Sequence, residues 1–147
     1  MKWVTRKNIR VNRTATAWLI RRFIDPEATF TFVEPGDVAA VQRDTGAIGF
    51  DAPDARYPHR DDQGRCSFEA LAQAYCPNDA ALKRLARIVH SADFPDATNL
   101  TVEGAGLRAI SRGFPLVARD DNESVERATF LYDALYAGLQ EQQGPSP

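Results

Sequence analysis

Residues 12–26, NRTATAWLIRRFIDP, lie between two short runs of β-formers, KWVT (Lys2–Thr5) and TFTFV (Thr29–Val33). Asn12 is a helix-capping residue type, and Ala15, Trp18 and Leu19 recur at helical spacing. Asp25-Pro26 stops the helix near Ile24. The chain therefore opens strand, helix, strand. Glu34-Pro35-Gly36 reads as a turn, Asp37–Asp44 as a short helix ended by Gly46, and Ala47–Phe50 as a further strand. Asp51–Gly64 reads as loop, and beyond it helices dominate. Ser67 is expected to cap a helix to Tyr75, with Phe68, Leu71, Ala72 and Tyr75 on one face. Others are expected from Asn78 or Asp79 to Asp93, from Val102 to Arg112, and from Asp120 or Asp121 to Leu139. The pattern predicts an α+β (or α/β) fold, a small N-terminal sheet packed by about five to six helices. It predicts one domain over residues 1–140 and a disordered tail, EQQGPSP, over 141–147.

A chain of 147 residues suits a single core. Lys+Arg 18 against Asp+Glu 20 gives a net charge of −2, with no global pull toward nucleic acid or anionic membrane. No segment approaches the ~20 apolar residues of a membrane span, and MKWVTRKNIR has no apolar signal core. Cys66 and Cys76 fall at opposite ends of one expected helix, about 15 Å apart and too far to bridge. A reducing, cytoplasmic setting is the expectation. The chain has no G-x-S-x-G, no G-x-G-x-x-G and no P-loop, so no nucleotide cofactor is expected. Without an aromatic platform motif, direct nucleic-acid binding is not expected either.

Helical phase singles out charges in unexpected places. Arg22 falls in the middle of the Ala15–Trp18–Leu19 stripe. Asp93 falls near the centre of the stripe of Leu82, Leu85, Ala86 and Val89, with His90 on its edge. Glu103 shares a face with Leu107, Ile110 and Phe114. A buried charge needs a partner, a metal, water or a ligand. Two explanations stand side by side: a structural role, by snorkelling to solvent at a helix end or by inter-helix ion pairs, or a functional cluster. Glu126 and Asp133 read as solvated flanks of the last helix.

His59, Glu69, His90 and Asp93 are donors suited to Zn, Fe or Mn, although no standard zinc signature is present. Cys66 stands just before a helix, near Arg60 and Arg65, a setting expected to lower its pKa. The alternative is a small buried hydrophobe. Arg6, Lys7, Arg10 and Arg13 form a basic stretch able to attract an oxyanion or phosphate.

Trp3-Val4-Thr5-Arg6 and Trp18-Leu19-Ile20-Arg21-Arg22-Phe23-Ile24-Asp25-Pro26-Glu27-Ala28 resemble the C-terminal domain family of the chromate-resistance protein ChrB. So do Gly46-Ala47-Ile48, Phe50-Asp51, and His59 followed by Arg65-Cys66-Ser67-Phe68-Glu69-Ala70. Ala105-Gly106-Leu107 and the last-helix run Tyr132-Asp133-Ala134-Leu135-Tyr136 extend the resemblance over nearly the whole chain. Two positions depart from the pattern: Thr16 stands where the family has a cysteine, and Asn122 where it has a histidine.

The resemblance implies a domain standing alone that serves chromate resistance or sensing, a stress response; the charged and donor residues add the expectation that it binds an oxyanion or metal ion. Arg22, Arg60, Arg65 and Cys66 are the expected oxyanion ligands. His59, Glu69, His90 and Asp93 are the expected metal ligands. The alternatives are a small metal-dependent enzyme with Glu103 or Glu123 as general base, and a non-catalytic interaction module.

Overall fold

A computed structural model describes residues 1–143. Its sheet has three parallel strands in the order β2-β1-β3, formed by β1 (Lys2–Arg6), β2 (Thr29–Val33) and β3 (Ile48–Gly49). Trp3 pairs with Phe30 on one side and Ile48 on the other. Helix α1 (Val11–Leu19) connects β1 to β2, and α2 (Val38–Thr45) connects β2 to β3. The helical half comes next: α3 (Ser67–Tyr75), α4 (Ala80–Asp93), α5 (Gly104–Arg112), a single turn α6 (Phe114–Val117) and α7 (Asp121–Gln143). This is the α+β architecture read from the sequence. The last helix continues past Leu139 to Gln143, and residues 144–147 of the expected tail lie outside the described residues. No helix among the described residues is long and apolar enough to cross a membrane.

The core forms where α1 meets α3, α4 and α7. Trp18, 3% exposed, is its centre. Its ring lies 5.8 Å from Tyr136, 5.9 Å from Tyr132, 5.7 Å from Phe23 and 6.5 Å from Phe68. Such aromatic clusters add to area burial, and the indole N–H still needs an acceptor. Asp133 supplies it at 2.9 Å.

Three local readings are corrected. Asn12 does not cap its own helix, which begins one residue earlier at Val11. Its buried amide instead donates to Ser67 Oγ and accepts from Thr16 Oγ and from the Phe68 N–H. Asn12 thus serves the first turn of α3. Ser67 is not the cap of α3 either: Cys66 is, in a reciprocal box with Glu69. Finally, residues Ile20–Ile24 form a π turn. The wider turn rotates its own residues out of phase with α1. Arg22 nevertheless stays over the apolar stripe, its guanidinium 5.9 Å from the Trp18 ring and 5.2 Å from Tyr136, while its 43% exposed head pairs with Asp133 at 2.5 Å.

Asn12→Ala is expected to lower stability by about 2–3 kcal/mol, because Ser67 Oγ and the Phe68 N–H lose their buried partner. Urea unfolding measures it. A loss below about 0.5 kcal/mol would show that this amide does not join α1 to α3.

Candidate functional site

The carboxyl ends of β1 and β3 converge on one buried carboxylate. Parallel sheets place ligands at this end of their strands. Phe50 N–H donates to Val4 O and so carries the chain past β3 alongside β1. Asp51 comes next, with a left-handed backbone, φ 50°, and a side chain 2% exposed. Its Oδ2 lies 3.2 Å from Arg13 Nε and 3.3 Å from an Arg6 terminal nitrogen. Its Oδ1 lies 2.7 Å from His59 Nδ1. Arg6 Nε also donates to the Asp51 carbonyl at 2.6 Å. Arg13 is held further by the carbonyls of Arg6 and Lys7, each at 2.9 Å.

Asp93, the last residue of α4, approaches the same histidine, its Oδ2 at 3.7 Å from His59 Nδ1. That oxygen is buried and has no hydrogen-bond partner among the described residues. A cavity of about 180 Å³ opens here. Asp51, Asp93, Asn12 and Ser111 line it, together with five arginines: Arg6, Arg10, Arg13, Arg108 and Arg112. Arg10 belongs to the turn that starts α1, and Arg108 and Arg112 stand one turn apart on α5.

The charges do not balance. Asp51 is shared by Arg6, Arg13 and His59. Arg10, Arg108 and Arg112 make no ion pair among the described residues. Burial, and then the neighbouring Asp51, raise the Asp93 carboxyl to about 6. The Asp51 hydrogen bond raises the His59 imidazole above its ordinary value. Burial draws the Arg13 guanidinium down, against the pull of Asp51. The cavity is therefore positive, and becomes more so as pH falls.

A second cluster lies across Phe94. Glu69 Oε1 is 2.5 Å from His90 Nδ1 and accepts from the Cys66 N–H at 3.0 Å. The Phe94 ring stacks edge-on against both imidazoles, 5.0 Å from His59 and 4.6 Å from His90. The four expected metal ligands therefore divide: His59 and Asp93 sit with Asp51, while Glu69 and His90 sit with Cys66.

The other singled-out residues lie apart from the cavity. Arg22 bridges to Asp133 and covers Tyr136. Arg60 pairs with Asp96 and lies 4.0 Å over the Phe94 ring. Arg65 pairs with Asp61, four residues before it. Glu103 is exposed at the start of α5 rather than buried with Leu107. Glu123 is held by Arg119 and Arg127. Glu126 and Asp133 are solvated flanks, 68% and 42% exposed, and also pair with Arg21 and Arg22. The Cys66 thiol is fully buried, and burial pushes its pKa well up, opposite to the lowering expected from the helix end. Sequence reasoning missed Arg108 and Arg112 as site residues; their i,i+4 spacing beside Leu107 was the available signal.

Fold and site define a small α+β domain with an arginine-lined polar cavity at the carboxyl ends of its strands. The chain matches the family described as "ChrB, C-terminal domain" over residues 3–139, and it belongs to that family. It is 36% identical over 136 residues to "Protein ChrB" of Cupriavidus metallidurans (strain CH34), an alignment covering 92% of this chain. The chain spans 40% of that relative's length. No solved structure matches it.

Asp93 couples protonation to stability. Its carboxyl titrates near 6 when folded and at about 3.9 when unfolded. Between those values the native state binds more protons, so stability falls as pH rises across that window. His59 acts in the same direction: its pairing with Asp51 stabilises fully below the unfolded value of about 6.5 and is lost as pH rises through the folded value. Asp93→Asn removes the cost of the buried charge. It is expected to raise stability at pH 7.5 by about 1–3 kcal/mol and to flatten the decline between about pH 4 and 6. Urea unfolding at pH 5 and pH 7.5 checks both, and an unchanged pH slope in the variant would contradict the assignment.

Proposed function

We propose that the arginine cavity binds a small, doubly charged tetrahedral oxyanion, and that through it the domain serves chromate resistance or sensing. The observation that carries the reading is the surplus of guanidinium groups. Arg10, Arg108 and Arg112 face a shared cavity with no carboxylate of their own among the described residues. Guanidinium forks match oxyanion geometry, and their charge-assisted bonds are about twice as strong as neutral ones. The start of α1, at Arg10 and Val11, adds the positive end of a helix to the same cavity. A volume of about 180 Å³ suits a four-oxygen anion and its remaining water.

The residues divide the work. Asp51 spends its charge fixing Arg6, Arg13 and His59, which orients the inner donors before any ligand arrives. Arg10, Arg108 and Arg112 supply the attraction. Asp93 opposes an anion when ionised, and when protonated it can donate a hydrogen bond. Affinity for sulfate, which stays a dianion across this range, therefore rises as pH falls toward about 6. Chromate is the favoured ligand because the chain belongs to a chromate-resistance family. Sulfate, the same shape and charge, is the natural competitor.

Titration calorimetry with chromate and with sulfate tests the reading. Arg10→Gln/Arg112→Gln is expected to weaken dianion binding tenfold or more, since each charge-assisted bond lost costs about 1.5–3 kcal/mol. Neither side chain makes an ion pair among the described residues, so the melting temperature should hold. Failure of any dianion to bind at millimolar concentration, or unchanged affinity in the double variant, would overturn it.

A further inference from the structure

Cys66, Glu69 and His90 form a cluster that the oxyanion reading leaves unused. Each offers one ligand atom, a sulfur, a carboxylate oxygen and an imidazole nitrogen, and all three lie within 4.8 Å of one another. The arrangement results from local structure. Cys66 is the N-cap of α3, and its sulfur accepts the Glu69 N–H in the reciprocal capping box. Glu69 returns its carboxylate to the Cys66 N–H at 3.0 Å. Helix α4 packs on α3 and brings His90 to within 2.5 Å of that carboxylate.

We propose that these three side chains form a divalent transition-metal site, separate from the arginine cavity. Metal–ligand bonds of about 2.0–2.3 Å place tetrahedral ligand atoms roughly 3.3–3.8 Å apart. The cluster closes on such an ion by side-chain adjustments of about an ångström. The His90–Glu69 hydrogen bond opens, the imidazole gives its Nδ1 proton to solvent and keeps or takes one on Nε2, and the thiol releases its proton to solvent. Glu69 and His90 remain 22% and 18% exposed, which leaves an open side for a fourth ligand such as water.

The donor set decides the class of ion. One sulfur with one nitrogen and one oxygen suits zinc, iron(II) or cobalt(II), whereas magnesium and calcium take oxygen ligands. The backbone N–H to sulfur bond is already in place to support a thiolate. The cluster of Asp51, His59 and Asp93 has a similar span, but Asp51 is committed to two arginines, whose charges repel a cation. Phe94, edge-on to both histidines, stands between the two clusters.

Cobalt(II) is the probe. Chelator-treated protein titrated with cobalt(II) is expected to bind one equivalent and to develop a thiolate-to-cobalt charge-transfer band, which zinc(II) then bleaches. Cys66→Ser should abolish the band, and Cys76→Ser should leave it unchanged. His90→Ala should weaken cobalt(II) at least tenfold. Glu69→Gln keeps the capping acceptor and so guards against a merely unfolded variant; it too should weaken cobalt(II) at least tenfold, with a melting temperature near that of the parent. The absence of a band at stoichiometric cobalt(II), a band that survives Cys66→Ser, or undiminished affinity in Glu69→Gln would overturn the proposal.

Discussion

The Asp51 carboxylate is almost wholly withdrawn from water, and its surroundings reflect the need to compensate that charge. Arg6 reaches it from the end of β1, Arg13 from the first turns of α1, and His59 from the loop after β3. One anion thus ties together three segments distant in sequence. It also decides the electrostatics nearby. A carboxylate shared by two guanidinium groups and an imidazole leaves positive charge in excess. The remaining arginines then stand over a cavity in which they make no ion pair among the described residues, with Asp93 the one further carboxylate in its lining.

The aromatic core and the site are built by the same helix. Helix α1 presents Trp18 to Phe68, Tyr132 and Tyr136 toward its far end, and Arg13 with Asn12 toward the cavity at its start. Packing at one end therefore holds the guanidinium at the other. Asp133 supports that packing by accepting from both the Trp18 indole and Arg22. Helix α4 plays a similar double role. Its leucines fill the core while its last turn delivers His90 to one cluster and Asp93 to the other.

Much of the fold was legible because periodicity and turn chemistry are local. The strands at Thr29–Val33 and the N-terminus, the Asp79 cap of α4, and the stop at Gly46 all depend on residues within a few positions. The Asp93 anomaly was legible too, as a charge on an apolar stripe that holds its phase. Arg22 was legible in the same way, covering Trp18 and Tyr136 while its head bridges to Asp133, although a π turn at Ile20 breaks the 100° step and nothing in the pattern of apolar residues announces it. Glu103 misled because α5 begins after it, at Gly104. The basic run Arg6–Arg13 pointed toward an anion, but its partners Arg108 and Arg112 are distant in sequence and meet it only through the packing of α5 on α1 and α4. The likeness of His59, Glu69, His90 and Asp93 as ligand types could not reveal that Phe94 stands between two clusters.

The central claim is that the surplus positive charge gathered around Asp51 is a seat for an oxyanion. A crystal structure with tungstate, a heavy analogue of the tetrahedral dianions, tests it most directly through the anomalous signal of the metal atom. The account predicts a peak inside the cavity, with oxygens in hydrogen-bond reach of Arg13 and of at least one of Arg10, Arg108 and Arg112. A cavity that stays free of tungstate, with the anion bound elsewhere on the surface, would contradict it.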